Sequence, residues 1–357
     1  LDHGDEKADM TTLLVTASGM VTAAGFNARS TCAAIRAGVS GIQVDNLWDP
    51  EAGEYLPLGR PRTLQWWEGA EMLAELAAPA ISECLKTIST IPPQNVPIFL
   101  LLSHPTRPHR EQNLEEEVVQ GLEHRLKSRL PSGSQCISRG RTGIMHALSQ
   151  ATLLFQNRQA SHCIIVGVDS FLRQTVAEAY IKRRRLLTKN NSNGFIPGEA
   201  ACAVLLQPSN LRKSDELRIV GWGEGREAGT IDSDKPLTGN GLTEAIRAAL
   251  TQAGIQFSDA DYWLTDQNGE HYKFKEATVS KIRLERMRKQ PRQRRFEIWH
   301  PIEYLGDIGA AIAPCLLGVA FAAHTIGYAP GRRALLHVSE DEGERAALVL
   351  EWVRGEK

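Results

Sequence analysis

Residues 138–151 read SRGRTGIMHALSQA, a polar turn with glycines on either side of Arg141 and Thr142 that opens an apolar run at helical spacing. The run continues to about residue 156, so 140–156 is expected to be a helix. SQCIS (134–138) before it and HCIIVGVDSF (162–171) after it read as strands, the second apolar on both faces. Strand, helix and strand in succession are the unit of a layered α/β fold.

The same alternation extends outward. Toward the N-terminus lie a charged amphipathic helix near 113–128, the strand run VPIFLLLS (96–103) and a helix near 69–88. TLLVTASGMVTAAGF (12–26) is a strand entering a small-residue turn, and the helix after it ends at Gly38. Toward the C-terminus, GFIPGEAACAVLLQPS (194–209) reads as a turn feeding a strand, with LRIVGWGEG (217–225) expected as its hairpin partner. A helix over 241–253, the strand YWLTD (262–266), a basic helix near 276–290, an apolar helix over 308–326 and the strands RALLHVS and RAALVLEWV complete the chain. GEAACAVLLQ from Gly198 and GERAALVLEW from Gly343 echo one another, and duplication explains the echo economically.

The 357 residues are 42% hydrophobic and 23% charged, enough for one large domain or two fused halves. A formal net charge of −1 excludes global steering toward polyanions, so no nucleic-acid or membrane partner is expected. Cysteines 32, 84, 136, 163, 202 and 315 stand singly, which points to reduced thiols and a cytoplasmic setting, with no metal site and no cofactor. The acidic start lacks the basic character of a secretory signal, and residues 1–9 are expected to form a loose tail. Residues 308–327 approach membrane-spanning length, but their Gly and Ala content, Pro314 and His324 favour a buried core helix.

Four motifs in order now carry a resemblance. The opening strand, turn and helix over 13–42, CIIVGVDSF, NGFIPGEAACAVLLQ and GDIGAAIAPCLLGVAFA together resemble the β-ketoacyl-acyl-carrier-protein synthase branch of the thiolase superfamily. The resemblance implies a thiolase fold: two similar βαβαβαββ halves, here 10–212 and 213–357, stacked in five α-β-α-β-α layers. Residues 143–156 and 308–326 would be the two central helices, and the family is usually dimeric.

The resemblance also implies a condensing site that this chain does not match. Such enzymes hold a cysteine thiolate at a helix N-terminus, two histidines, and an oxyanion hole partly built by a Gly-Phe-Gly-Gly segment. The cysteine position falls on Gly140 or Arg141, depending on which neighbouring motif sets the register. The first histidine position falls on Asp266, Gln267 and Asn268, and the second on Gly306. Where Gly-Phe-Gly-Gly is expected the chain reads SEDEGERAA, placing Glu340, Asp341, Glu342 and Glu344 beside a forming oxyanion. Cys136, His146, His271 and His300 are the candidates for a rewired site, each with a structural role as the bland alternative. Arg141 at the helix start is expected to pair with the carboxylates of SEDEGE.

Two basic runs are candidates for docking an acidic partner: Lys182, Arg183, Arg184 and Arg185, and Arg286, Arg288, Lys289, Arg292, Arg294 and Arg295. The expectation is a catalytically degenerate synthase-like protein working as a scaffold or accessory. It would form a homodimer, or a heterodimer with a related synthase, and bind an acyl carrier protein or an effector protein. Chain length factors and the synthase-like proteins beside type VI secretion effectors are the two precedents. An active acyltransferase or 3-oxoacyl synthase with a displaced nucleophile is the alternative.

Overall fold

A computed structural model describes residues 12–63, 68–209, 215–286 and 296–355. The first half carries strands β1 (Leu13–Val21), β2 (Ile42–Asp49), β3 (Glu54–Gly59), β4 (Ile98–Leu101), β5 (Gln135–Ile137), β6 (Cys163–Ser170) and β7 (Glu199–Pro208). Its helices are α1 (Ala28–Ala37), α2 (Ala70–Lys86), α3 (Leu114–Leu126), α4 (Gly143–Gln156) and α5 (Gln174–Lys182). The second half carries β8 (Glu216–Arg226), β9 (Tyr262–Thr265), β10 (Glu297–Trp299), β11 (Arg333–Ser339) and β12 (Glu344–Val353). Its helices are α6 (Asn240–Ala253), α7 (His271–Arg286), α8 (Ile302–Leu305) and α9 (Ile312–Ile326).

Ten strands run in the order β10-β9-β11-β12-β8-β1-β7-β6-β4-β5. Read outward from the β1–β8 seam, the two sides match. On one side β1 pairs antiparallel with β7, β7 antiparallel with β6, and β6, β4 and β5 run parallel. On the other, β8 pairs antiparallel with β12, β12 antiparallel with β11, and β11, β9 and β10 run parallel. The strands that open with the two Gly-Glu echoes, β7 and β12, occupy corresponding places. The expected division after residue 212 lies outside the described residues, as does the expected tail over 1–9.

Alternation of side chains along each strand assigns the layers. Ile164 and Val166 of β6, with Leu100 of β4 and Ala203 of β7, pack under α2 and α3. Ile165, Phe99, Cys202 and Val204 turn the other way onto α4 and α9, which also receive Leu264, Leu336 and Leu348 from the second side. Trp263, Leu335 and Val349 face α6. The result is five layers, α-β-α-β-α, with α4 and α9 at the centre. Gly309–Ile326 is long and apolar enough to cross a membrane, yet 78% of it is buried between the two sheet portions. Each fully buried leucine there, Leu316 and Leu317 among them, contributes about 1.5–3 kcal/mol through removal from water.

Two expectations need correction. β8 is not the hairpin partner of β7, because β1 pairs along β7 on one edge and β6 on the other, leaving no free edge. β8 instead pairs along its length with β12 and over three residues with β1. The basic helix begins at His271, five residues before the expected start.

Candidate functional site

The two central helices begin in matching ways. Gly140–Thr142 forms a single 3-10 turn leading into α4, and Gly309–Ala311 does the same for α9. Gly140 has φ +53° and Gly309 φ +51°, a left-handed conformation that disfavours any residue with a Cβ. Space demands glycine as well: a Cβ at Gly140 would lie 2.0 Å from Glu340 Oε2, and one at Gly309 2.0 Å from Asp169 Oδ2. The Arg141 backbone N–H donates to Glu340 Oε2 at 2.6 Å, and the Ala310 N–H donates to Asp169 Oδ2 at 2.9 Å. Each half thus presents a carboxylate from the end of a strand, Asp169 in the last two residues of β6 and Glu340 just beyond β11, to the helix start of the other half. The positive end of each helix dipole is occupied by an internal anion.

The Arg141 side chain is 2% exposed and carries the centre of a polar network. Its guanidinium reaches Asp307 Oδ2 at 2.6 Å and Glu340 Oε1 at 3.3 Å. Asp307 also accepts from Asn268 Nδ2 at 2.7 Å and from the Gly309 N–H at 3.0 Å. Asn268 donates in turn to Glu270 at 3.0 Å. Arg185 pairs with both carboxylate oxygens of Glu270 and with Asp341 at 3.2 Å, and the Tyr272 hydroxyl donates to Asp341 at 3.0 Å. Lys273 holds Asp266 at 2.5 Å, Arg345 holds Glu276 at 2.7 Å, and Arg107 holds Asp169 at 2.5 Å while lying 3.9 Å over the Phe171 ring.

Electrostatics sort these groups. Burial opposes charge throughout, but the neighbouring Asp307 and Glu340 charges outweigh it at Arg141 and keep the guanidinium protonated. Asp307 and Asp266 overcome the same burial through Arg141 and Lys273, and are held below the usual carboxylate range. Burial lifts Glu340, Glu270 and Glu276 above theirs. His337, with its Nε2 3.7 Å from Asp266, is pushed down by burial to about 4 and is neutral near pH 7. Seven carboxylates (Asp169, Asp266, Glu270, Glu276, Asp307, Glu340, Asp341) face five cations (Arg107, Arg141, Arg185, Lys273, Arg345). A developing oxyanion about 4 Å from one uncompensated carboxylate would meet about 4 kcal/mol of repulsion at an effective dielectric near 20. The arrangement suits ion pairing between the halves and opposes stabilisation of an oxyanion.

The candidate nucleophiles and bases are not brought together. Cys136 sits on β5 packed against the outer core, and burial together with the Glu115 charge raises its thiol to about 11. His146 is half-buried on α4, His271 is exposed at the start of α7, and His300 is half-buried after β10. Among the described residues no hydrogen bond links these histidines to Cys136, Thr142 or one another; the His271 backbone N–H donates to Asn193 at 2.7 Å. Asp266, Gln267 and Asn268 are buried, with Gln267 hydrogen-bonded to Thr265 at 3.2 Å, and Gly306 turns the backbone at φ +77° against Pro197 and Gly198. Among the described residues no group of His, Cys, Asp and Glu suits a metal ion. A cleft of about 510 Å³ opens beside Thr142, with Arg139, Arg226, Glu224 and Glu344 in its walls.

The basic runs divide. Lys182, Arg183 and Arg184 are exposed, Arg183 lying 3.8 Å from Asp232 and Arg184 3.7 Å from Glu51. Arg185 is withdrawn from the docking surface, because it is 4% exposed and committed to Glu270 and Asp341. Arg286 is exposed at the end of α7; Arg288, Lys289, Arg292, Arg294 and Arg295 lie outside the described residues. Sequence reasoning missed Arg107, Asp169, Glu270, Tyr272, Lys273, Glu276, Asp307, His337 and Arg345. The available signal was the spacing of Lys273 and Glu276, which puts both on one helical face, and a lone histidine in the apolar strand around His337.

No model of a known protein family matches the chain. A chain from the complex of the ketosynthase ApeO with its chain length factor ApeC, from Xenorhabdus doucetiae, superposes with a TM-score of 0.75. That match covers 98% of this chain and 100% of the other at 15% identity. The chain has the thiolase-like ketosynthase fold. The ketosynthase from module 6 of the bacillaene synthase of Bacillus subtilis 168 matches with a TM-score of 0.76 at 12% identity, over 96% of this chain and 72% of that one. A type II polyketide acyl-carrier protein in complex with its ketosynthase, AntDE:AntF, supplies a third match, with a TM-score of 0.73 at 14% identity over 97% and 100% of the two chains. In sequence, 141 residues are 30% identical to the hybrid PKS-NRPS synthetase lepA of Aspergillus flavus, covering 35% of this chain. The chain spans about 3% of the length of that synthetase.

Proposed function

We propose that this ketosynthase-fold chain does not condense acyl groups and works by binding a partner, either a second ketosynthase-fold chain or an acyl carrier protein. The observation that carries the reading is Arg141, a buried guanidinium at the start of α4 held by Glu340 and Asp307. On the resemblance, an attacking thiolate would stand at Gly140 or Arg141, depending on the register. Asp266 to Asn268 and Gly306 take the two histidine positions on the same resemblance, and all are tied into packing or hydrogen bonds. Solved neighbours include a ketosynthase with its chain length factor and a ketosynthase with an acyl-carrier protein, which supports a partner of those classes. The exposed Lys182, Arg183 and Arg184 are the cations available for an acidic one. An effector of type VI secretion is the alternative partner, resting on the sequence resemblance.

For a displaced-nucleophile acyltransferase, Cys136 is the first candidate nucleophile. A thiol raised to about 11 is roughly one part in several thousand thiolate at pH 7.5, and among the described residues no base is hydrogen-bonded to it. Incubating the intact chain with acetyl- and octanoyl-coenzyme A, followed by intact-mass measurement, is expected to show unmodified protein. A stable acyl adduct that disappears in Cys136→Ala would overturn the proposal.

A further inference from the structure

A second cavity lies away from the ion network, between α1, β10, α8 and α9. Its volume is about 230 Å³, and its walls include Ile35, Trp299, Tyr304, Val319 and Tyr328. The packing that shapes it joins the two halves of the chain. Val319 forms the floor from the buried face of α9, 1% exposed, while the Gly41 N–H donates to the Tyr304 carbonyl at 2.9 Å and pins the loop after α1 to α8. Trp299 stacks on Tyr328 with ring centroids 6.1 Å apart and planes 24° from parallel, so two aromatic walls are held by each other.

The polar groups at this slot are unequally engaged. Arg36 lies 4.5 Å over the Tyr328 ring, and among the described residues no carboxylate pairs with it. Glu303, which also lines the slot, is exposed and accepts a hydrogen bond from the Tyr304 hydroxyl. His300 also lines the slot, but its Nδ1 is shut from solvent and is not open to a ligand there. An exposed Arg36 with no carboxylate partner among the described residues, aromatic walls, and Glu303 already engaged by the Tyr304 hydroxyl favour a ligand with an apolar body and one anionic end. The volume lies below the ~300–1,000 Å³ of pockets for drug-sized molecules, which limits the body to one ring or a short branched chain.

We propose that this slot binds a small aromatic or branched apolar monocarboxylate, its body beside the stacked Trp299–Tyr328 pair and against Ile35 and Val319, and its carboxylate on Arg36. The site is independent of the partner-binding reading: it uses none of the network residues and lies toward the middle of α9, away from the helix start. A ligand of about a dozen non-hydrogen atoms is expected to bind in the high-micromolar to millimolar range.

The test is a ligand-observed NMR titration of the intact chain with 3-phenylpropionate, and with phenethylamine as the cationic isostere. The acid is expected to saturate a single site, and the amine to bind at least about tenfold more weakly. Arg36→Gln, an exposed change with little cost to folding, should weaken the acid about ten- to a hundredfold. Ile35→Trp, which fills the slot from α1, should abolish binding while thermal unfolding reports whether the fold is retained. No saturation up to about 10 mM, equal binding of acid and amine, or unchanged affinity in Arg36→Gln would each overturn the proposal.

Discussion

Replacing Arg141 by methionine keeps an unbranched apolar stem, removes the guanidinium and its charge, and strands Asp307 and Glu340 in a site from which water is excluded. Arg141 is 2% exposed, Asp307 fully buried and Glu340 4% exposed, so solvent screens almost none of the loss. Breaking a buried ion pair by deleting one partner costs about 3–5 kcal/mol. At about 2.1 cal/mol/K of unfolding entropy per residue, a chain of this size loses about 4–7 °C of melting temperature. The deficit depends on pH with a definite sign. Glu340 is already raised by burial and loses the lowering Arg141 charge in the variant, so the folded variant holds a proton that the unfolded chain has released, and its stability falls as pH rises. The Arg141→Met variant should therefore approach the parent as pH falls from about 7.5 to about 5.5, where the raised carboxyl takes up a proton. Adding Asp307→Asn and Glu340→Gln should return most of the loss at pH 7.5. Differential scanning fluorimetry over that range is the assay. A variant that melts within about 1 °C of the parent, or whose deficit is the same at both ends of the range, refutes the claim that this arginine neutralises the contact between the helix starts.

Gly140→Ala should destabilise by about 2 kcal/mol or more, because the left-handed backbone alone costs about 1–2 kcal/mol and the new Cβ displaces Glu340 from the Arg141 N–H; unchanged denaturant unfolding would contradict the close approach. Glu199, buried beside Ser170 and 3.6 Å from Arg60, has its carboxyl raised by burial to about 7. The folded protein keeps that proton where the unfolded chain has lost it, so this group's stabilisation is complete below the unfolded value and is lost as pH rises through about 7. That loss amounts to up to about 3 kcal/mol, and Glu199→Gln should remove it from the pH–stability curve; an identical curve for parent and variant counts against the buried proton.

The layered α/β class was legible because the signals are local. The apolar runs at 96–103 and 162–171 have the length and composition of strands covered on both faces, and the runs at 140–156 and 308–326 are apolar almost all round, as helices between two sheet layers must be. Strand neighbours were less legible. β8 follows β7 in sequence, but which strand fills the edge of β7 depends on β1, nearly 180 residues earlier, and short-range pattern carries nothing about that. At the site, the reading that Arg141 meets the carboxylates of residues 339–344 rested on charge complementarity and on the resemblance. Asp307 as the nearer partner at 2.6 Å was not legible, because Asp307 occurs in the chain as one more acidic residue before a helix.

The sequence by itself determined the layer pattern, the glycines that open α4 and α9, and the lack of a sulfur atom beside Arg141, since each follows from residue type and spacing along one stretch of chain. Only the tertiary structure decided which charges are spent. Arg185 looks like the end of a basic surface run and is buried on Glu270 and Asp341, whereas Arg36 looks ordinary and, among the described residues, stands without a carboxylate over Tyr328. The physical reason is that a charge acquires its role from desolvation and from partners far away in sequence, and both exist only once the two halves have packed.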